Sequence, residues 1–221
     1  MTDGGLAQYL PWVEKIGVKL EKKRLPLFDA YLDELIRWNS RMNLVGPSSR
    51  DRIVRELILD SLMALPLLPS TGKLLDVGSG AGFPAIPMKI GGSELDFTLI
   101  EPIQKRVNFL KQIVRITGLT GISVVRGRID EHGAPGGIGV YDVVTARAVA
   151  PLTRTIKLFS SRMAPGGALV TFHGEWPEKV FEESSIEIKD NGLTVERLLR
   201  YRLPGLRNSR HVALLRKKNE Q

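Results

Sequence analysis

The sequence contains no cysteine and only three histidines among its 221 residues. Disulfides, zinc–thiolate sites and thiol nucleophiles are therefore excluded, and no metal site is expected. No apolar run is long enough to span a membrane. The first ten residues, MTDGGLAQYL, lack the basic and apolar regions of a secretion signal. We therefore expect a cytoplasmic protein without a membrane partner, and a monomer, because no strong interface signal is visible.

Acidic residues are fewer than basic ones and unevenly spread. The chain carries 32 Lys and Arg against 24 Asp and Glu, a formal net charge of +8. No acid occurs from Pro102 to Arg128, from Val143 to Gly174 or from Leu198 to Lys218, although all three segments contain several basic residues. Such segments favour a polyanionic partner, because Lys and Arg that neutralise phosphates release counterions. The alternative is a soluble basic protein without such a partner.

The pattern of apolar residues changes near residue 70. Helical spacing is found from residue 27 to 36 and from 53 to 65. After Lys73, short apolar strands alternate with helical segments, which is typical of βαβ units in a parallel sheet. We predict a helical extension over residues 1–70 and an α/β domain over 71–221. Strands are expected near 73–77, 95–100, 121–126, 140–145 and 166–172, and helices near 84–91, 103–117 and 151–163.

The end of the chain predicts an antiparallel pair of strands at one edge of the sheet. Asn191-Gly192 is a dipeptide typical of hairpin turns, and RHVALLRK (residues 210–217) reads as the final strand.

A glycine-rich turn follows the first strand, in KLLDVGSGAGFPAIPMKI (residues 73–90). A phosphate-binding P-loop is excluded, because Phe83 and Pro84 follow the last glycine in place of Lys and Ser or Thr. The spacing of Gly78, Gly80 and Gly82 is one residue short of the dinucleotide fingerprint. LDVGSGAG instead matches the first motif of S-adenosylmethionine-dependent methyltransferases. We predict cofactor contacts at Asp76, Gly78 and Gly80, the alternative being a purely structural turn.

Residues at the ends of the second and third strands are also suited to binding S-adenosylmethionine. Glu101 ends the second strand about 20 residues beyond the glycines, where an acid can accept hydrogen bonds from ribose hydroxyls. Ile129 and Asp130 follow the third strand and can meet the adenine ring and its amino group. The predicted fold is therefore a Rossmann-like class I S-adenosylmethionine methyltransferase of the α/β class. It has a seven-stranded, mainly parallel sheet with an antiparallel edge strand, plus the N-terminal helical extension.

The absence of certain catalytic residues and motifs reduces the number of possible methyl acceptors. Methylation of pyrimidine C5 uses a cysteine, and methylation of an exocyclic amine usually goes with an Asn/Asp-Pro-Pro-aromatic tetrapeptide, where this chain has TARAVAPL (residues 145–152). A ring nitrogen such as guanine N7 carries a lone pair and needs no general base, so proximity and orientation suffice. Arg147 is the candidate catalytic residue; its alternatives are a structural salt bridge or a cofactor contact. A small-molecule or protein methyltransferase and a non-catalytic ribosome-binding factor remain open.

Motifs along most of the chain resemble one family. They are RWNSRMNLVG (37–46), ILDSL (58–62), DVGSGAGFPAIP (76–87), KRVNFL (105–110), ARAVAPL (146–152) and LPGLRNSRHVALLRK (203–217). Together they are similar to the bacterial glucose-inhibited division protein B family, the 16S ribosomal RNA guanine-N7 methyltransferases. The chain departs from the family pattern at Glu56-Leu57, at Ile129-Asp130 and at Ala85.

The resemblance implies S-adenosylmethionine as cofactor, with contacts at Gly78, Phe83, Ile129, Asp130 and Arg147. It also implies a guanosine in the decoding-region loop as acceptor, and 16S rRNA or the small ribosomal subunit as partner. Among the basic residues, we predict RNA contacts at Arg106, Arg207, Arg210 and Lys217.

Overall fold

Seven strands form a single mixed sheet in a computed structural model that describes residues 5–174 and 177–219. The strands are β1 (Lys73–Val77), β2 (Asp96–Glu101), β3 (Ile122–Arg126), β4 (Tyr141–Ala146), β5 (Met163–His173), β6 (Leu193–Tyr201) and β7 (Arg210–Lys217). Their order across the sheet is β3-β2-β1-β4-β5-β7-β6. Strands β1 to β5 are parallel, whereas β7 is antiparallel to both of its neighbours. The predicted fold class is confirmed, with the antiparallel strand lying just inside the edge strand β6.

The central strands are apolar on both faces, as expected for parallel strands covered by helices. Leu74 and Leu75 are neighbours on β1 that point to opposite faces, and both are buried. The helices are α1 (Leu10–Lys15), α2 (Leu25–Met42), α3 (Arg50–Ile53), α4 (Leu59–Leu62), α5 (Ala85–Ile90), α6 (Gln104–Thr117), α7 (Leu152–Phe159), α8 (Pro177–Glu183) and α9 (Ser185–Asp190). A π-helical turn, Val54–Ile58, joins α3 to α4.

The N-terminal helices share one hydrophobic core with a face of the sheet. Tyr31 of α2 is buried, and its ring lies 5.6 Å from that of Phe83 and 6.4 Å from that of Phe109 on α6. Its hydroxyl donates to the carbonyl oxygen of Ala81 at 2.6 Å, directly beside the glycine turn. The N-terminal helices and this face of the sheet therefore form one core. Helices α7, α8 and α9 contribute to a second core on the opposite face.

The dipeptide Asn191-Gly192 does not form the predicted hairpin turn. Residues 185–190 are helical, and the dipeptide connects the end of α9 to β6. Gly192 has a φ of +64°, the left-handed conformation that commonly ends a helix. The Asn191 amide donates to the Glu187 carbonyl and accepts a hydrogen bond from the Ser160 hydroxyl, which fixes this helix end. The antiparallel pair itself is present as β6 and β7, connected by residues 202–209.

The direction of the strands decides which residues meet. Strands β1 to β6 all end at one edge of the sheet, called here the carboxyl edge, and β7 begins there. Among the described residues, no helix combines the length and the apolar character needed to cross a membrane.

Candidate active site

The glycine turn at the end of β1 is held by the end of β2. Gly78 and Gly80 have φ angles of +69° and +58°, which glycine adopts without steric cost. The amides of Gly78 and Ser79 donate to the carbonyl oxygen of Ile100 at 2.9 and 3.1 Å. The amide of Gly80 donates to Glu101 Oε2 at 2.9 Å. The turn is therefore a rigid, backbone-lined end of the strand.

Glu101 connects the glycine turn to the start of α6 through its two carboxylate oxygens. Its side chain is buried, and its second oxygen, Oε1, accepts a hydrogen bond from the amide of Ile103 at 2.9 Å, just before α6. Each carboxylate oxygen has a further lone pair and can accept another donor. Glu101 thus lies beside the glycines, as the sequence predicted, and ties the turn to α6.

A cavity of about 240 Å³ opens at the carboxyl edge beside Gly78. Of the predicted cofactor residues, Gly78, Ile129 and Asp130 line it. Its other walls are Val77, Ile100, Pro102, Gly127, Arg128, Val149, Ala150, Arg154, Leu158 and Phe159. The Asp130 Oδ1 atom accepts a hydrogen bond from the amide of His132 at 2.9 Å, which fixes the loop after β3. The cavity is mainly apolar with a few polar groups, as small-molecule sites usually are.

Asp76 presents an unpaired carboxylate oxygen two residues before the turn. Its side chain is buried, and Oδ1 accepts a hydrogen bond from the Thr145 hydroxyl at 2.6 Å. The other oxygen, Oδ2, is buried without a hydrogen-bond partner. Burial raises the pKa of Asp76 to about 7. A buried unpaired oxygen is costly, so this position favours a ligand that donates a hydrogen bond.

Arg147 does not line the cavity; instead it joins the loop after β4 to the N-terminal helices. Its Nη2 atom lies 3.0 Å from Asp60 Oδ2 and donates to the Glu56 carbonyl at 3.2 Å, within the π-helical turn. Its guanidinium carbon lies 6.0 Å from the centroid of the Phe83 ring and 5.8 Å from that of Phe172. Phe83 also belongs to this face, since it packs on the N-terminal core. Of the predicted residues, some line the cavity, some form the glycine turn and the strand ends that hold it, and some pack towards the N-terminal helices: these groups are Gly78, Ile129 and Asp130; Asp76, Gly80 and Glu101; and Phe83 and Arg147.

Asp60 was not predicted, yet several side chains converge on it. Its carboxylate is only 2% exposed and contacts Arg210 Nη1 at 3.3 Å in addition to Arg147. Its Oδ1 atom accepts a hydrogen bond from the Tyr201 hydroxyl at 2.6 Å. Burial and the neighbouring Asp60 raise the pKa of Tyr201. The only sequence signal for this role was an acid inside the apolar segment ILDSL.

The structure separates the four predicted RNA-binding residues. Arg207 is exposed in the loop before β7, and Arg106 is partly exposed in the first turn of α6; both lie at the carboxyl edge. Arg210 is at the same edge, but its guanidinium is engaged by Asp60. Lys217 lies apart from these three: β7 is antiparallel, so its last residue lies at the opposite edge. There the Lys217 ammonium donates to the carbonyls of Ser160 and Met163 at 3.1 Å each.

No cluster of three or more potential metal ligands among His, Cys, Asp and Glu occurs within residues 5–174 and 177–219.

Solved structures with the same fold include methyltransferases. A methyltransferase from Pyrococcus furiosus is 14% identical, with a TM-score of 0.59 over 86% of this chain and 98% of its own. A SAM-dependent methyltransferase from Aquifex aeolicus is 19% identical, with a TM-score of 0.54 over 74% of this chain and 92% of its own. These likenesses show the Rossmann-like α/β class of fold, in which ligands bind at the carboxyl ends of the strands, where the glycine turn and the cavity lie.

Sequence relatives identify the family within this class. A family model described as GidB, rRNA small subunit methyltransferase G, matches residues 24–212. A ribosomal RNA small subunit methyltransferase G from Acetivibrio thermocellus is 34% identical over 91% of this chain and 84% of its own. One from Bacillus cereus is 28% identical over 97% of this chain and 91% of its own. The chain belongs to the rRNA small subunit methyltransferase G family, and the resemblance seen in the sequence is confirmed.

The chain is accordingly an enzyme, a methyltransferase with S-adenosylmethionine as its cofactor. The described residues fit this cofactor. The cavity offers an apolar surface for an adenine ring, and the unpaired Asp76 oxygen suits the ammonium group of the methionine part. No side chain of the glycine turn obstructs the approach to the backbone, because Gly78 and Gly80 have none.

The pKa of Asp76 predicts a pH dependence of cofactor affinity. Because burial raises that pKa to about 7, a carboxylate able to attract the ammonium forms only as pH rises through about 7. We expect the dissociation constant of S-adenosylmethionine, measured by titration calorimetry, to fall between pH 6 and about 7.5, before the amino group of the cofactor loses its proton near pH 8. Asp76→Asn should bind more weakly at pH 7.5 and lose this change. An unchanged pH profile in the variant would remove Asp76 from cofactor binding.

The same pKa has a defined effect on stability. The folded-state pKa lies above the unfolded value, so the protonated form contributes stability at low pH. That contribution is lost as pH rises towards about 7. Without cofactor, the free energy of unfolding of the wild type should therefore fall, relative to that of Asp76→Asn, as pH rises towards about 7.

Proposed function

We propose that the enzyme methylates N7 of one guanine in the decoding-region loop of 16S rRNA. The observation that carries this proposal is the chemistry of the loop after β4. Residues 145–152 contain no acid, histidine or cysteine, and their one charged side chain, Arg147, is paired with Asp60. A general base is thus lacking in this loop, and guanine N7 needs none, because it attacks through a lone pair and carries no proton.

In this mechanism the protein binds the cofactor and the acceptor guanine and orients them towards each other. When bound, S-adenosylmethionine supplies a methyl group activated by its sulfonium. We assign the adenosine part to Ile129 and Asp130, the ribose hydroxyls to Glu101, the ammonium to Asp76 and the close backbone contact to Gly78. Holding the methyl carbon in line with N7 contributes several kcal/mol, as for well-oriented reactants in general.

We assign Arg147 a positioning role. Its guanidinium nitrogens contact Asp60 and backbone carbonyls, and its side chain is 15% exposed. It therefore fixes the loop after β4 against the N-terminal helices. Phe83, beneath that guanidinium, supports the turn from the same side. Both residues would then affect cofactor binding through the shape of the site, without touching the reacting atoms.

Basic side chains at the carboxyl edge support an RNA substrate, which is also what the names of the relatives state. In addition to Arg207, exposed arginines there are Arg126 at the end of β3, Arg128 after it and Arg202 after β6. Of these, Arg128 lines the cofactor cavity. Phosphate contacts of this kind position an RNA, whereas the identity of the base is read elsewhere.

The test uses 16S RNA and small subunits from a strain that lacks this protein. They are incubated with the purified chain and S-adenosylmethionine, then treated with borohydride and aniline, which cleave RNA at 7-methylguanosine. One cofactor-dependent break in the decoding-region loop supports the proposal and identifies the nucleotide. Absence of a break in both substrates, with cofactor binding confirmed by calorimetry, would overturn it and favour another acceptor or a non-catalytic role.

Charge reversal at Arg207 tests the basic face. Arg207→Glu replaces a cation that would contact phosphate by an anion. We therefore expect it to weaken RNA binding about tenfold, and to reduce by about 1 the slope of the logarithm of the binding constant against the logarithm of the salt concentration. Filter binding at several salt concentrations measures both quantities. The control is Lys189→Glu, which makes the same charge change at an exposed position on α9, near the opposite edge. Equal losses in the two variants would indicate a nonspecific effect of net charge.

A further inference from the structure

A second cavity of about 200 Å³ lies beside the cofactor cavity. It is enclosed by the loop after β4, the start of α7, the end of β5 and one residue of α8, Val180. Its lining comprises Ala146, Ala148, Val149, Ala150, Pro151, Leu152, Thr155, Thr171, Phe172, His173 and Val180. No residue among these carries a carboxylate, an ammonium or a guanidinium, so the cavity suits a neutral occupant.

The two cavities meet at the loop after β4. Val149 and Ala150 line both of them. Val149 also lies over the glycine turn, since a Cβ atom added to Gly78 would stand 3.0 Å from Val149 Cγ2. A group bound in the second cavity would thus be adjacent to the cofactor, at the strand ends where the methyl group must be transferred.

Three polar side chains line the second cavity: Thr155 of α7, whose hydroxyl donates to the Ala150 carbonyl at 3.3 Å, and Thr171 and His173 of β5. Thr171 Oγ1 and His173 Nε2 are 2.8 Å apart. The His173 ring packs edge-on against Phe181 of α8, with centroids 5.4 Å apart. Burial, and to a lesser extent the neighbouring His211, lower the pKa of His173 to about 4, so the imidazole is neutral at physiological pH. A neutral imidazole offers one donor and one acceptor, as does a threonine hydroxyl.

A planar neutral ring with donors and acceptors on its edge matches this arrangement. Small apolar side chains would leave room for the ring, and Thr171 and His173 would offer donors and acceptors to its polar edge. Enzymes that modify a base read it in this way after taking it out of the stack. We propose that the second cavity receives the acceptor guanine, unstacked from the RNA, with Thr171 and His173 as its base-contacting residues. This assignment rests on the proposed function and adds to it the site at which the base is read.

The test fills the cavity from the side that the cofactor does not touch. Val180 lines the second cavity but not the first. Val180→Phe should lower kcat/KM for small subunits at least 30-fold, the equivalent of about 2 kcal/mol, while the dissociation constant of S-adenosylmethionine changes less than about twofold. The matched control, Glu182→Phe, places the same ring on the exposed side of α8 and should retain wild-type kinetics.

A second variant keeps the shape of the cavity and removes one polar group. Thr171→Val is nearly isosteric and should lower kcat/KM about tenfold through the lost hydrogen bond, again with unchanged cofactor affinity. Wild-type rates in both variants would overturn the assignment, as would an equal loss of cofactor affinity. Failure of the proposed function is seen separately, because the wild-type enzyme would then produce no break at 7-methylguanosine.

Discussion

Asp60→Ala is expected to destabilise the protein by about 3–5 kcal/mol, the usual cost of removing one partner from a buried ion pair. The carboxylate is 2% exposed and lies within 3.3 Å of two guanidinium groups, those of Arg147 and Arg210. Without it, both cations stay in a poorly solvated place, and the Tyr201 hydroxyl loses its acceptor. Urea unfolding monitored by circular dichroism measures the change in the free energy of unfolding.

Glu196→Ala provides the comparison for Asp60→Ala. Glu196 pairs with Arg216 at 2.6 Å, but the two side chains are 40% and 36% exposed. Exposed pairs contribute about 0–1 kcal/mol, so a small loss is expected. Equal destabilisation by the two substitutions would show that the Asp60 cluster is no more important than a surface pair. Asp60→Asn retains the shape and an acceptor, and should fall between the wild type and Asp60→Ala.

Gly78→Ala is expected to weaken cofactor binding about 30-fold, equivalent to ~2 kcal/mol. The added methyl group would stand 3.0 Å from Val149 Cγ2, which is closer than ordinary packing, and Val149 lines the cofactor cavity. The φ angle of +69° adds a conformational cost of about 1–2 kcal/mol to the folded state. Calorimetric titration with S-adenosylmethionine measures the first effect, and urea unfolding measures the second.

Gly118→Ala separates these two effects. Gly118 has a φ angle of +62°, close to that of Gly78, but no atom lies within 4 Å of an added Cβ. It follows α6, at the edge of the sheet opposite the site. We therefore expect a similar conformational cost with wild-type cofactor affinity. If Gly118→Ala weakened binding as much as Gly78→Ala, the effect would arise from global stability rather than from the shape of the cavity.

Features encoded over short distances in the chain were predictable from the sequence. The glycine turn, the acid at Glu101 and the alternation of strands and helices each depend on neighbouring residues, and the parallel sheet then brings the strand ends together. Gly78, Ile129 and Asp130 therefore line one cavity.

Features that depend on distant partners were not predictable. Asp60 acquires its role only because β4 and β7 bring Arg147 and Arg210 to it, from 87 and 150 residues further along the chain. The edge at which Lys217 lies likewise depends on the direction of β7 rather than on the local sequence. Asn191-Gly192 is equally suited to a hairpin and to a helix end, and the preceding residues form α9.

The π-helical turn restricts insertions and deletions more than substitutions. Each residue of an α-helix turns the chain by about 100°, and Val54–Ile58 holds one residue more than a regular turn needs. Upstream of the turn, Ile53 is buried in the core; downstream, Asp60 faces two arginines. Deleting one residue would give the turn regular α-helical hydrogen bonds. It would also rotate the segment after the turn relative to the segment before it, so that one of them would lose its packing partners. Relatives should therefore vary in residue type here while keeping the length of this segment constant.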